Sequence, residues 1–155
     1  MSRIDSENFP SAIRPNRWVP AVSCVVWWNN RVVLQKRRDT EKWGLPGGGM
    51  EFGESIMDTV RREISEETGL TVTTIRRLVG IYSNPRHIIA YTDGEIRQEF
   101  AIVVECTAEG HLKADGQESL AVKAVSREEA LNWALDPRHL QRLRDALTLD
   151  QAVIR

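Results

Sequence analysis

Three glutamates, Glu63, Glu66 and Glu67, stand at i, i+3 and i+4. On a helix this spacing projects their carboxylates from one side, within a sector of roughly 100°. Like charges that close repel, and each such pair weakens an isolated helix by about 0.2–0.5 kcal/mol. A divalent cation held by oxygen ligands turns that repulsion into binding, and Mg²⁺ (or Mn²⁺) is the expected ion where phosphates share the coordination sphere. The run Leu45-Pro46-Gly47-Gly48-Gly49 spends three glycines just ahead of this segment, a cost in chain entropy that an ordinary connection does not require. Glycines there let backbone amides and carbonyls approach a ligand or metal closely. A cluster of charge is more often a solvated helix face. Against that bland reading, Ile56, Val60 and Ile64 lay an apolar stripe at i, i+4 and i+8, so the glutamates border the core.

Written as a pattern, residues Gly48 to Leu70 read G-x5-E-x7-R-E-(aliphatic)-x-E-E-x-G-(aliphatic), with every fixed position filled. This resembles the Nudix box, complete from Gly48 to Leu70. The flanks Arg37-Arg38-Asp39 and Trp43-Gly44-Leu45-Pro46-Gly47-Gly48 are similar to the run that leads into the box in many Nudix hydrolases. The resemblance implies an α/β fold with a mixed β-sheet sandwiched between α-helices. It implies a metal-dependent attack of water on a diphosphate linkage, in substrates where a nucleoside diphosphate is linked to another group. By the same resemblance Glu63, Glu66 and Glu67 are metal ligands, with the backbone carbonyl of Gly48 a further one. Arg62 is expected to pair with a carboxylate and fix its orientation, a task suited to the guanidinium fork. Glu54 takes a structural or outer role, and Gly69 and Leu70 are turn and packing positions.

One catalytic candidate lies outside the box. The segment from Glu109 to Glu118 is polar, with glycines at 110 and 116, and reads as a mobile loop leading into a strand. Several Nudix enzymes resemble this arrangement, with an acidic residue at the loop's end serving as base or extra ligand once substrate is bound. Glu118 is that residue here. The competing reading leaves Glu118 solvated and makes Glu63 or another box carboxylate the base.

For the substrate, Arg37 and Arg38 could meet phosphates, although strand alternation points them to opposite faces. Trp43 is a candidate for stacking on a base, against its commoner use as a packing anchor. Tyr82 and Arg86, with the turn Asn84-Pro85-Arg86-His87, are candidates for the rim of a nucleotide pocket. Behind Glu118, where relatives often carry an acidic residue and then an aromatic, this chain has Ala121 and Ala124. No subfamily's specificity is therefore borrowed. Among small nucleotides, (deoxy)nucleoside triphosphates rank first and ADP-ribose or another nucleotide sugar second. A non-catalytic nucleotide-binding sensor on the same fold is the remote alternative, and it would be expected to lose box carboxylates that are present here.

Elements must hold these groups in place. Val19 to Trp28 is rich in β-branched and aromatic residues, and Asn29-Asn30 turns it into Arg31 to Arg37, a hairpin signal. Trp27 and Trp28 should face opposite sides of the sheet. The box helix is expected from about Ser55 to Thr68, stopped by Gly69. Strands are expected near Thr71–Ser83, Arg97–Cys106 and Ser119–Val125, the first two joined by a polar connection through Asp93-Gly94. Ser126 fits the N-cap of a short helix to about Leu135. Leu140, Leu143 and Leu147 mark an amphipathic helix from Arg138 to about Leu149.

At 155 residues the chain can bury roughly 70% of its unfolded surface, as one domain with residues 1–17 as a loosely ordered arm or an edge strand. The formal net charge of −1 offers no long-range attraction to nucleic acid or an anionic membrane, which leaves a small nucleotide as the expected partner. Two isolated cysteines, Cys24 and Cys106, and no apolar run near 18 residues point to a reducing, cytoplasmic setting. A homodimer stays an open expectation.

Overall fold

Valine, isoleucine and cysteine alternate between two sides along the central strands, so the sheet buries both of its faces. The computed structural model describes residues 3–6 and 13–155. In chain order it contains β1 (Arg3–Ser6), β2 (Arg17–Trp28), β3 (Arg31–Arg37), β4 (Trp43–Gly44), α1 (Ile56–Thr68), β5 (Leu70–Tyr82), β6 (Ile88–Tyr91), β7 (Ile96–Gly110), β8 (Ser119–Val125), α2 (Arg127–Asn132), α3 (Pro137–Thr148) and β9 (Val153–Ile154). Strand β7 is the spine. It runs parallel to β2 from Arg17↔Arg97 to Trp27↔Thr107, and antiparallel to β5 and β6 on its other edge.

Helices cover both faces. Val22, Cys24, Val26, Val33, Val104 and Cys106 pack with Val60 and Ile64 of α1. Val25, Val32, Leu34, Ala101 and Val103 turn the other way, toward Ala130 of α2 and Leu143 and Leu147 of α3. Burying each such aliphatic side chain stabilises the fold by about 1.5–3 kcal/mol. The expected α/β sandwich is therefore observed. Trp27 and Trp28 do split between the two clusters, with their indole N–H groups donating to Glu105 Oε1 at 2.7 Å and to the Gly110 carbonyl at 3.2 Å.

The hairpin of β2 and β3 opens at once. The two strands pair only at Trp27↔Val32 and Trp28↔Arg31, after which β3 joins β8 and β4. The edge of β2 thus exposed is taken by the glycine-rich loop. Cys24 N–H donates to the Pro46 carbonyl (2.8 Å), Val22 N–H to Gly48 (2.9 Å), and Met50 N–H to Pro20 (2.9 Å). Gly47 is required there: at φ 144° its added Cβ would lie 2.2 Å from the Val22 carbonyl oxygen.

Two differences from the sequence reading concern short strands. The connection around Asp93-Gly94 contains β6, four residues long, which Ile88-Ile89-Ala90-Tyr91 form by pairing with β7. Strands β4 and β9 are two residues each, too short to leave a period. Within the expected arm, Arg3–Ser6 is an edge strand against β6; residues 1, 2 and 7–12 lie outside the described residues.

Candidate active site

Helix α1 begins at the N-cap Ser55, whose side chain and that of Asp58 form a capping box, and ends at Gly69 in the left-handed conformation (φ 73°). Those ends set its phase. Thr59, Val60, Glu63, Ile64 and Glu67 fall on the buried face, so two carboxylates are carried into the protein beside the apolar stripe. Glu66 falls at the boundary, its side chain 58% exposed.

Glu67 is 1% exposed and Glu63 5%. The loop supplies their partners. Gly47 N–H donates to Glu67 Oε2 at 2.7 Å, and Gln35 Nε2 donates to the same oxygen at 2.8 Å. Arg62 Nη1 donates to Glu63 Oε1 at 2.8 Å. A Cβ on Gly48 would sit 2.4 Å from Glu63 Oε1, so that glycine makes room for the carboxylate. Its carbonyl already accepts from Val22, and an oxygen with two lone pairs retains a second acceptor direction.

Arg62 pairs with carboxylates of the loop and of the helix. Its fork grips Glu54 (Nε to Oε1 2.5 Å, Nη2 to Oε2 3.0 Å) and also reaches Gly49 O at 3.0 Å and Glu66 Oε2 at 3.2 Å. Glu54 is thereby held down to a pKa of about 2, chiefly by Arg62.

Glu118 joins the box carboxylates. Ligand oxygens of Glu63, Glu67 and Glu118 lie within 4.8 Å of one another. No closing motion is needed to bring Glu118 there, because Asp115 fixes the turn: its Oδ1 accepts from the N–H groups of Gln117 (3.0 Å), Glu118 (3.1 Å) and Ser119 (2.8 Å). Burial, with the Glu118 charge adding to it, pushes the Glu63 carboxyl up. Burial pushes Glu67 up to about 8 against the opposing pull of Arg37. Three converging oxygen donors, two of them buried, suit a hard divalent cation, whose charge relieves both the burial and the mutual repulsion.

Glu63 and Glu118 line a cavity of about 300 Å³ whose wall also includes Arg37, Arg62, Tyr91, Glu99, His139 and Arg142. Arg37 therefore meets the site, with its fork on Asp39 (2.9 and 3.0 Å) and Nη1 3.9 Å from Glu67 Oε1. Arg38, in the turn that follows β3, points elsewhere. Its guanidinium donates to the carbonyls of Gln117 (2.7 Å) and Gly116 (2.6 Å) in a recess beside Glu118.

Like Arg38, three further substrate candidates do not line this cavity. Trp43 packs edge-to-face on Trp133 at 5.5 Å in the α2–α3 core, the packing-anchor role. Tyr82 is buried one layer behind the wall, donating to Asp145 Oδ2 at 2.7 Å with Arg142 5.5 Å over its ring. Arg86 sits exposed in its turn. Conversely, Gln35, Glu99, His139 and Arg142 escaped the sequence reading. Gln35 alone left a signal, a polar residue in the apolar run Val32-Val33-Leu34. It is fully buried and ties Glu67 to Ser119, whose hydroxyl donates to its Oε1.

Comparison with known proteins extends over most of this arrangement. The family profile described as NUDIX domain matches residues 17–146. An ADP-ribose pyrophosphatase of Methanocaldococcus jannaschii is 41% identical over 68 residues, spanning 42% of this chain and 40% of that protein. A putative 8-oxo-dGTP diphosphatase of Bacillus subtilis is 32% identical over 98 residues, 63% of this chain and 59% of the relative. The matches thus span about two-fifths to three-fifths of these relatives' lengths. The crystal structure of a MutT protein from Bacillus halodurans superposes with a TM-score of 0.66 at 26% identity, covering 88% of this chain and 86% of that one.

Proposed function

This chain belongs to the Nudix family, and we propose that it is a divalent-metal-dependent pyrophosphohydrolase of small nucleoside diphosphate derivatives. The observation that carries the reading is the convergence of Glu63, Glu67 and Glu118 to within 4.8 Å, with Glu63 and Glu118 on the wall of a cavity. Glu63, Glu67 and Glu118 would hold the ion, with Glu66 and the Gly48 carbonyl beside them. A cation bound there supplies Lewis-acid polarisation of phosphoryl oxygens and lowers the pKa of water in its sphere.

The chain's own residues do the rest. Arg62 and Gln35 fix one oxygen of Glu63 and of Glu67, leaving the other oxygen of each without a hydrogen bond among the described residues. Glu118, on its pinned turn, is placed to take the proton of the attacking water; Glu63 is the alternative base. Arg37 faces the phosphates from the cavity wall. Phosphoryl transfer asks for little beyond such positioning and charge stabilisation.

Within small nucleotides, (deoxy)nucleoside triphosphates stand first and ADP-ribose or another nucleotide sugar second, each class being named in one of the relatives above. Product analysis separates them. Nucleoside monophosphate plus pyrophosphate supports the first, and AMP plus ribose phosphate the second. Cleavage confined to dinucleoside polyphosphates or RNA ends refutes both. The retained carboxylates weigh against a non-catalytic sensor, which would bind nucleotide without Mg²⁺-dependent turnover. No helix among the described residues is long and apolar enough to cross a membrane, and the two buried free thiols support a cytoplasmic setting.

A further inference from the structure

We propose that His139 and Arg142 are substrate-binding donors that grip oxygens of the phosphate chain from the α3 wall of the cavity; this rests on the pyrophosphohydrolase reading above. The two residues are three apart on α3 and so share a face, and both line the cavity that Glu63, Glu66 and Glu118 line from the other side of the chain.

His139 Nδ1 accepts the Leu45 N–H at 3.0 Å. A neutral imidazole that accepts at Nδ1 carries its proton on Nε2, so the ring offers a fixed N–H donor. Burial, reinforced by the neighbouring Arg142 and Arg138 charges, keeps the ring neutral against the pull of Asp136. The site is built to hold this ring: a Cβ on Gly44 would meet its atoms at 3.1–3.2 Å. The anchor also couples it to the carboxylates, because Leu45 leads through Pro46 into Gly47, whose N–H holds Glu67 at 2.7 Å.

Arg142 is 4% exposed. Its Nη2 forms an ion pair with Glu99 Oε1 at 2.6 Å, and the Tyr82 ring lies against its guanidinium, yet neither its buried Nε nor its Nη2 has a hydrogen-bond partner among the described residues. Interiors rarely leave such a donor orphaned unless water or a ligand completes it. Despite burial, Arg142 holds Glu99 well below the usual carboxylate range. Glu99 also faces Arg138 Nη1 at 3.7 Å, so it offsets the Arg142 charge only in part. Glu99 Oε2, the carboxylate oxygen on this wall, faces His87 Nδ1 at 3.3 Å, and the N–H donors beside it match phosphate oxygens, which only accept.

The probe is inorganic pyrophosphate with Mg²⁺, titrated calorimetrically into the full chain, with adenosine as the control. His139→Asn can still accept from Leu45 while losing the cavity donor. Arg142→Met is combined with Glu99→Gln so that no buried charge is orphaned. Pyrophosphate affinity should fall at least tenfold in either variant, while adenosine affinity, the melting temperature and Mn²⁺ affinity measured without phosphate hold. If the double variant does not fold, His139→Asn decides alone. Pyrophosphate affinity within twofold of wild type in a folded variant overturns the assignment. So does selective loss of adenosine binding, or a wild-type protein that binds no pyrophosphate. A protein that binds pyrophosphate through these residues but hydrolyses no nucleotide supports the inference and refutes the proposed activity.

Discussion

Burial governs how Glu67 behaves when no cation is bound. Its carboxyl releases a proton near pH 4.5 in the unfolded chain and near 8 in the folded one. Between those values the folded state holds more protons, so stability falls as pH rises. His139 acts in the opposite sense. Its folded pKa is depressed below 6.5, so its contribution grows as pH rises and is complete by about 6.5. Above that, Glu67 dominates until the buried thiols, raised above 9.0, begin to titrate. At about 1.36 kcal/mol per pH unit, metal-free protein should lose about 2 kcal/mol of stability between pH 6.5 and 8.5. Saturating Mg²⁺ should flatten that slope, and Glu67→Gln should flatten it without metal. Chemical denaturation at the two pH values reads the effect; an unchanged slope in the Gln variant assigns it to another group.

At the scale of elements, the glycine loop and the Glu118 turn do different jobs. Gly47 packs backbone against the β2 backbone, which cannot yield, and its φ of 144° suits no other residue. Gly47→Ala should therefore cost more than about 2 kcal/mol of stability. Gly48 faces the movable end of Glu63. Gly48→Ala should leave the melting temperature nearly unchanged and weaken Mn²⁺ binding, because the displaced carboxylate is the one needed there. Equal effects of the two substitutions on stability would contradict this division. For the turn, Glu118→Gln should lower kcat far more than substrate affinity or stability, and a loss under about threefold returns the base to Glu63. The box helix, the hairpin and the terminal helix were readable because caps and periodicity are local. The early opening of that hairpin was not, since it depends on which strand and loop later compete for the edge of β2.

Across the whole molecule, the site is assembled from segments that adjoin only through topology. Glu63 and Glu67 could be read from the box itself, and Glu118 from the loop it ends. Arg142 and Glu99 could not: the parallel register of β2 and β7 and the docking of α3 bring them to the cavity. The same docking takes Trp43 and Tyr82 into the core, where aromatic bulk fills space between sheet and helices. A net charge of −1 gives no long-range attraction for a polyanion, so turnover of small nucleotides should greatly exceed that of 5′-triphosphorylated RNA at equal concentration, as measured by released pyrophosphate. All of this depends on the three carboxylates acting as a divalent-cation site. The most direct measurement is hydrolysis of a nucleoside diphosphate panel by wild type and Glu67→Gln across a Mg²⁺ titration starting from EDTA. Wild type should be inactive in EDTA and recover with Mg²⁺, while the Gln variant, still folded, should need orders of magnitude more metal or stay inactive. Undiminished turnover in EDTA, or in Glu67→Gln at ordinary Mg²⁺, would contradict the account.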